Sequence, residues 1–301
     1  MLLNSFEHII SKIQEYTSNC SITITGGEPL QHENWNSIVS KCLEKFGKVC
    51  ICSNGIPLKG NMEKMKESLR SGAFLQLSLD GDENADARIR GNMHYNSTIN
   101  TINELVDFSD RLIVSTSIDK SNVNSITNLI KKLNTLRFLY WKVSWIQSMQ
   151  PQTDEYMMTS QEWNRFVDDI LPLCFFRVKV PKLFDFDLFE DILAKNRYNQ
   201  VNSNCGFGKQ KIYIFPNGDV YPCSCYSQWK LGNILTDPAD LIIENTSNLT
   251  NFNIPNNSAC HSCRYKGVCH SGCPGYSIKV FGKIGYGDIR CPIVNQYYKH
   301  D

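Results

Sequence analysis

The sequence predicts an α/β fold of parallel βα units, followed by a small cysteine-rich domain. Five apolar, β-branched segments have the pattern of strands, and most of them are separated by a helical pattern. Right-handed connections between such strands give either an open doubly wound sheet or a barrel. Further along the chain helical periodicity fades, while Cys, Gly, Pro and Asn become frequent. We therefore expect two domains, at residues 1–190 and 191–301.

Four of the predicted strands end in polar segments that contain glycine, serine or aspartate. These strands are SITITGGEP, VCICSNG, FLQLSLDG and LIVSTSID, and FLYWKVSWI is the fifth. Ligand sites of βα folds lie at the carboxyl ends of the strands, so we expect one ligand site there. Residues 151–200 have a mixed pattern and are interpreted as the connection between the domains.

Composition excludes several classes of partner. The 301 residues include 31 Lys and Arg against 30 Asp and Glu, and a net charge of +1 gives no broad attraction for nucleic acid or an anionic membrane. No segment approaches the roughly 20 apolar residues of a membrane span, and the first residues lack a signal-peptide pattern. We expect a cytoplasmic protein that binds neither nucleic acid nor a membrane.

Cysteines carry the strongest signal in the sequence. Eight of the 13 cysteines lie between residues 205 and 291, and clustered thiols in a reducing compartment indicate metal binding. The remaining cysteines in helix or strand patterns, Cys42, Cys50, Cys52 and Cys174, are predicted to be core residues. The clustered set is spaced as Cys205, Gly218, Cys223, then Cys260-x2-Cys263-x5-Cys269-x3-Cys273, then Cys291.

Two kinds of metal site fit these spacings. A cubane iron–sulfur cluster needs thiolates that converge from several directions, which short turns and distant cysteines together supply. The turn signal PNGD predicts a hairpin that folds residues 213–215 back onto 220–221 and carries Cys223 toward Cys205. The alternative is structural zinc bound by Cys260, Cys263, Cys269 and one other cysteine. Two independent zinc sites would need eight ligands, whereas the spaced set has seven cysteines.

The spacing resembles the SPASM domain, an iron–sulfur domain attached to many radical SAM enzymes. Every interval fits the pattern C-x(9–15)-G-x4-C, then C-x2-C-x5-C-x3-C, then C. The resemblance implies one [4Fe–4S] cluster on Cys260, Cys263, Cys269 and Cys291. It implies a second on Cys205, Cys223 and Cys273, which is one ligand short. Either Cys225 completes the second cluster, or an open iron site there binds a substrate thiolate.

Motifs in the first half resemble the radical SAM domain itself. ITGGEP resembles the segment that holds the methionine amino group of S-adenosylmethionine, which implies Gly26, Gly27, Glu28 and Pro29. CSNG resembles the segment near the ribose and implies Ser53 and Asn54. SLDG and the later Arg-Gly imply Ser78, Asp80 and Arg90 around the carboxylate and ribose. The expected fold is thus a partial (β/α)6 barrel, similar to a TIM barrel, with a SPASM-like domain.

The sequence departs from the radical SAM pattern at one place. The family holds its catalytic cluster with CxxxCxxC after the first barrel strand, whereas only Cys20 precedes Gly26 here. The first strand is therefore expected to be missing, and the chain as written is expected to be inactive. Either the true product begins upstream of Met1 and has a third [4Fe–4S] cluster, or the chain is a non-catalytic iron–sulfur pseudoenzyme.

The resemblance implies an enzyme that forms a 5′-deoxyadenosyl radical from S-adenosylmethionine and modifies a peptide or protein. Its two auxiliary clusters would transfer electrons or bind substrate, and flavodoxin or ferredoxin would be the reductant. The alternatives are an anaerobic sulfatase-maturase-like enzyme and the non-catalytic pseudoenzyme or truncated gene product.

Overall fold

A six-stranded, fully parallel sheet forms the first part of the molecule. The computed structural model describes residues 3–17, 19–146, 155–197, 211–224 and 229–299. The sheet follows chain order, with β1 and β6 at its edges. Its strands are β1 (Ile22–Ile24), β2 (Val49–Ser53), β3 (Phe74–Ser78), β4 (Leu112–Ile118), β5 (Tyr140–Trp145) and β6 (Val178–Lys179).

Helices connect successive strands, and a second group of helices follows in the cysteine-rich part. The helices of the first part are α1 (Leu3–Tyr16), α2 (Trp35–Phe46), α3 (Met62–Arg70), α4 (Glu83–Arg90), α5 (His94–Glu104), α6 (Ile126–Leu133), α7 (Ser160–Ile170) and α8 (Phe186–Ala194). The later helices are α9 (Ala239–Thr250), α10 (Lys266–Cys269), α11 (Pro274–Phe281) and α12 (Pro292–Lys299). No helix among the described residues is long and apolar enough to cross a membrane.

The two faces of the parallel sheet differ in chemistry because side chains alternate along each strand. One face carries the fully buried Leu75, Leu77 and Trp141 and packs against helices such as α6 in the main hydrophobic core. The register places Gln76 beside Cys52, and Lys142 beside Ser115, on the other face. Lys142 Nζ donates to Gln76 Oε1 at 3.4 Å, so this second face is polar.

A three-stranded antiparallel sheet opens the described part of the cysteine-rich region. Its strands are β7 (Tyr213–Ile214), β8 (Asp219–Tyr221) and β9 (Gly232–Asn233). The predicted hairpin is confirmed, since Tyr213 pairs with Tyr221. Gly218 supplies its turn with a φ of +87°, and an added Cβ would lie 2.6 Å from Asn233 Oδ1. This turn therefore requires glycine.

Helices α1 and α8 join the two parts of the molecule. On α1, Phe6 belongs to the core of the parallel sheet, while Ile9 packs with Val220 in the core of the antiparallel sheet. Helix α8 runs across residue 190, and its Glu190 accepts hydrogen bonds from Arg264 Nη2 and Tyr265 OH at 2.6 Å each. The proposed boundary between residues 190 and 191 thus lies within a helix that contacts the cysteine-rich region.

Three local features differ from the sequence prediction. Strand β6 lies in the segment interpreted as a connection, because two residues are too few to show a strand pattern. Helix α4 stands between β3 and α5 where no helix was predicted. Cys50 and Cys52, predicted to be core residues, lie on the polar face of β2. The same prediction is confirmed for Cys42, which is fully buried in the main core, and Cys174 packs against that core.

Candidate functional site

The carboxyl ends of β1 to β4 form the first candidate site, and the loop after β1 is its most open part. Gly26 and Gly27 are exposed and have φ values of +95° and +45°, which glycine adopts without strain. An added Cβ at either position would meet nothing within 4 Å. Pro29 follows and begins a 3₁₀ turn that Glu28 caps. The backbone of this glycine pair is therefore accessible to a ligand.

Glu28 ties the end of β1 to the end of β2. Its Oε1 accepts from Leu30 N at 3.1 Å and from Ser53 Oγ at 2.9 Å, and its Oε2 accepts from Asn54 N at 2.7 Å. The Ser53 hydroxyl is buried and also accepts from Gly55 N at 2.9 Å. A carboxylate has about four acceptor positions, so Glu28 is fixed in place with capacity for one further donor.

Asp80 makes the corresponding connection between β3 and β4. Its buried carboxylate accepts from Arg90 Nε and Nη2 at 2.6 Å each, and from Ser117 N at 2.8 Å. Arg90 is the last residue of α4, and 28% of its side chain is exposed. Ser78 ends β3 beside Ser115 and is half-buried. Asp80 thus fixes the guanidinium of Arg90 at the edge of the site.

Three buried residues behind Asp80 were not identified from the sequence. Asp86 Oδ1 accepts from Asp80 N at 2.8 Å, and its Oδ2 pairs with His94 Nδ1. Asn122 Nδ2 donates to Asp80 O at 2.9 Å and to Ser117 O at 2.8 Å. These side chains hold the loop after β3 against the end of β4. No motif in the sequence pointed to them: Asn122 contacts Asp80 42 residues away, and the contacts of Asp86 and His94 span six and eight residues that follow no helix or strand pattern.

The second candidate site is a cavity in the cysteine-rich region. Four thiols line it together with aromatic side chains, and the lining includes Cys260, Cys263, Cys269, Cys291, Phe184, Phe186, Phe189 and Tyr265. These four are the cysteines that the SPASM resemblance assigns to one [4Fe–4S] cluster. Cys291 immediately precedes α12; burial raises the pKa of its thiol, and hydrogen bonds from the Val294 and Ile293 amides offset only part of that effect.

The environment of this cavity suits thiols that a metal deprotonates. Burial raises the pKa of the Cys260 thiol to about 11, and the nearby Cys263 and Cys291 act in the same direction. Burial likewise raises the pKa of Cys269 above the range of free cysteine. Without positive charge these thiols stay protonated, whereas iron would stabilise the thiolates and release the protons. Because four thiols line one cavity, the donor set fits an iron–sulfur cluster.

Gly287 lets the backbone approach the cavity closely. Its φ is +102°, and an added Cβ would lie 2.7 Å from Val294 Cγ2 and 2.9 Å from Cys260 Sγ. Contacts this short force a side chain to move. A side chain at position 287 would therefore collide with Cys260 or Val294.

Only two of the four remaining candidate ligands lie among the described residues. Cys223 packs against the core of the antiparallel sheet, while Cys273 caps the start of α11. Cys205 and Cys225 lie outside the described residues. The second cluster and its fourth ligand therefore stay predictions. As for zinc, no three His, Cys, Asp or Glu side chains in the described part of the chain are placed to hold a single metal ion.

Replacing Asn122 with alanine is expected to destabilise the first site. The Asn122→Ala variant leaves the buried Asp80 and Ser117 carbonyls without their donor, at a cost of about 2–3 kcal/mol. Asn124→Ala is the control, because that side chain is exposed two residues away, and its cost is expected to stay within about 0.5 kcal/mol. Denaturant unfolding measures both, and equal midpoints for the two variants would contradict this role of Asn122.

Replacing Gly287 with alanine is expected to lower iron binding. The added methyl group displaces Cys260 or Val294, so the Gly287→Ala protein should retain less iron after anaerobic reconstitution. Gly282→Ala is the matched control, because Gly282 has a similar positive φ of +68° but nothing within 4 Å of its added Cβ. The iron content of the two variants separates steric crowding at Cys260 from the backbone strain that both substitutions introduce. An equal loss of iron in both variants would contradict a role for crowding at Cys260.

Comparisons with known proteins show which proteins this chain resembles. Residues 205–265 match the SPASM family model, described as an iron–sulfur cluster-binding domain. The antilisterial bacteriocin subtilosin biosynthesis protein AlbA of Bacillus subtilis (strain 168) is 25% identical over 225 residues, or 73% of this chain and 48% of AlbA. The chain therefore spans about half the length of this curated relative.

Two solved structures share the fold. The native anSMEcpe structure with bound AdoMet superposes with a TM-score of 0.72 at 15% identity, covering 100% of this chain and 88% of that one. Streptococcus suis SuiB bound to the precursor peptide SuiA gives a TM-score of 0.74 at 17% identity, covering 97% of this chain and 68% of that one. Together these matches confirm the predicted resemblance, and the chain is related to the radical SAM enzymes that carry a SPASM domain.

Proposed function

We propose that this chain belongs to a peptide- or protein-modifying radical SAM enzyme, in which it binds S-adenosylmethionine and auxiliary iron–sulfur clusters. The observation that supports this proposal is that the motif residues after β1, β2 and β3 lie at the carboxyl ends of adjacent strands, where Glu28 bonds to the end of β2 and Asp80 to Arg90 and the end of β4. The names of AlbA, a bacteriocin biosynthesis protein, and of SuiB bound to a precursor peptide support a peptide substrate.

The geometry suggests a distinct task for each motif. The exposed backbone of Gly26 and Gly27 and the spare acceptor position of Glu28 suit the methionine ammonium group. Arg90, which Asp80 holds at the edge, suits the methionine carboxylate. Asp80 is thus proposed as a positioning residue. Ser53, Asn54 and Ser78 lie at the ends of the neighbouring strands, where the ribose is proposed to bind.

The cysteines would hold the auxiliary clusters. Cys260, Cys263, Cys269 and Cys291 line one cavity and are proposed to bind one [4Fe–4S] cluster. Cys205, Cys223 and Cys273 are proposed to bind a second, with Cys225 or a substrate thiolate as the fourth ligand. Bound S-adenosylmethionine and a reduced catalytic cluster would supply the 5′-deoxyadenosyl radical, with electrons from a protein such as flavodoxin or ferredoxin.

Replacing Arg90 with lysine is expected to weaken binding of S-adenosylmethionine about tenfold. Lysine keeps the charge but lacks the planar guanidinium, which pairs with Asp80 on one side and is proposed to bind the carboxylate of S-adenosylmethionine on the other. The loss of one charge-assisted hydrogen bond costs about 1.5 kcal/mol. Equilibrium dialysis with radiolabelled S-adenosylmethionine measures the affinity.

The matched control is Arg88→Lys, because Arg88 lies on the same helix and is exposed. That variant should bind like the unmodified protein. Unchanged affinity in the Arg90→Lys variant would contradict the proposed carboxylate contact. If the unmodified chain fails to bind S-adenosylmethionine at all, the proposed function of this site is wrong.

A further inference from the structure

Two lysines lie side by side on the polar face of the parallel sheet. Lys142 of β5 pairs in register with Lys179 of β6, so their side chains leave the sheet on the same face from neighbouring strands. Both side chains are exposed. Like charges at paired positions of adjacent strands repel each other. An anion bound between the two ammonium groups would remove this repulsion.

A third cation and an aromatic ring lie beside this pair. Lys179 Nζ is 3.7 Å from the ring centroid of Tyr140, which is two residues before Lys142 on the same face of β5. Arg177 immediately precedes Val178, the first residue of β6. Burial raises the pKa of the Tyr140 hydroxyl, and the positive charge of Arg177 acts in the opposite direction, so the guanidinium lies within electrostatic range of the ring. We refer to Tyr140, Lys142, Arg177 and Lys179 as the basic patch.

The cations of the basic patch lack an acidic partner among the described residues. None of the ion pairs in that part of the chain includes Lys142, Arg177 or Lys179. Lys142 Nζ instead donates to a neutral acceptor, Gln76 Oε1, at 3.4 Å. The patch is therefore a local excess of positive charge in a chain whose net charge is only +1.

A thiol on the same face responds to this positive charge. Cys52 of β2 lies beside Gln76 of β3. A hydrogen bond with Cys50 lowers the pKa of the Cys52 thiol against the effect of burial, and the positive charge of Lys142 also lowers it. The charge of Lys142 thus acts across β3 on a group of β2. A carboxylate bound on this face would be stabilised in the same way.

The basic patch lies in one row with a residue of the proposed S-adenosylmethionine site. Ser78 of β3, proposed to lie near the ribose, pairs with Ser115 of β4, which pairs with Lys142. Lys142 in turn pairs with Lys179. Neighbouring strands are about 4.8 Å apart, so Lys142 lies about 10 Å along this row from Ser78. A group bound at the patch would therefore be held beside the proposed ligand.

We propose that Lys142, Arg177 and Lys179 bind a carboxylate of the peptide substrate, which makes an acidic peptide the preferred substrate class. The inference rests on the proposed function, because it places this carboxylate beside bound S-adenosylmethionine. Two ammonium groups and a guanidinium can donate to both oxygens of a carboxylate. The Tyr140 ring holds the Lys179 ammonium in place for this contact. The residue of the peptide next to the carboxylate would then reach the site where the radical forms.

The test is a binding titration of the reconstituted full chain with rhodamine-labelled peptides, followed by fluorescence anisotropy. One peptide contains glutamates and has an amidated C-terminus, and a neutral peptide contains glutamines in their place. A third peptide contains the glutamines but has a free C-terminal carboxylate. We expect the glutamate peptide or the free-carboxylate peptide to bind more tightly than the neutral one, which identifies the source of the carboxylate.

The double variant Lys142→Gln/Lys179→Gln is expected to bind the preferred peptide about fivefold more weakly, because exposed ion pairs each contribute little. The control is Lys64→Gln/Lys131→Gln, which changes the net charge by the same amount. Both control lysines are exposed on α3 and α6, helices that pack into the core on the opposite face of the sheet. The affinity of the control variant should stay within about twofold of that of the unmodified chain.

Two outcomes would overturn the inference alone. One is equal affinity of the unmodified chain for all three peptides, and the other is an equal loss of affinity in the two double variants. Equilibrium dialysis with S-adenosylmethionine tests the proposed function separately. Failure of the unmodified chain to bind S-adenosylmethionine would overturn that function, and with it the assignment of the carboxylate to a substrate.

Discussion

Two carboxylates connect the carboxyl ends of neighbouring strands in the parallel sheet, where S-adenosylmethionine is proposed to bind. Glu28 joins the ends of β1 and β2 through Ser53 and Asn54, and Asp80 joins the ends of β3 and β4 through Ser117. Asp80 is buried and Glu28 is half-buried, and each carboxylate accepts three hydrogen bonds, which offset the cost of removing it from water. These hydrogen bonds fix the loops after the strands, and the loop after β1 leaves the backbone of Gly26 and Gly27 exposed.

The cysteine-rich region is organised by a different constraint. Its apolar clusters are small, and the thiols of Cys260, Cys269 and Cys291 belong to or pack against one of them. Burial raises the pKa of such thiols, so a metal that binds them as thiolates also displaces their protons. Cluster binding would then contribute to folding, as it does where a metal replaces a hydrophobic core. The contacts of α1 and α8 couple that stability to the parallel sheet.

Local patterns predicted the strands that bound the site and the motif residues at their ends. The turn at Gly218 was predictable because its residues are adjacent in sequence. Asp86, His94 and Asn122 were not, because their roles come from side-chain contacts six, eight and 42 residues apart that no local pattern specifies. The polar face that carries Cys50 and Cys52 was mistaken for core, because cysteine alternating with apolar residues fits either face of a strand.

The central claim, that the ends of β1 to β4 form one S-adenosylmethionine site, is tested most directly by hydrogen–deuterium exchange with and without S-adenosylmethionine. The amides of Asn54, Asp80 and Ser117 already donate to carboxylates of this network, so exchange there reports its opening. The account predicts that the ligand slows exchange in the loops after β1, β2 and β3 together. Protection confined to other segments, or absent under conditions where the ligand binds, would contradict it.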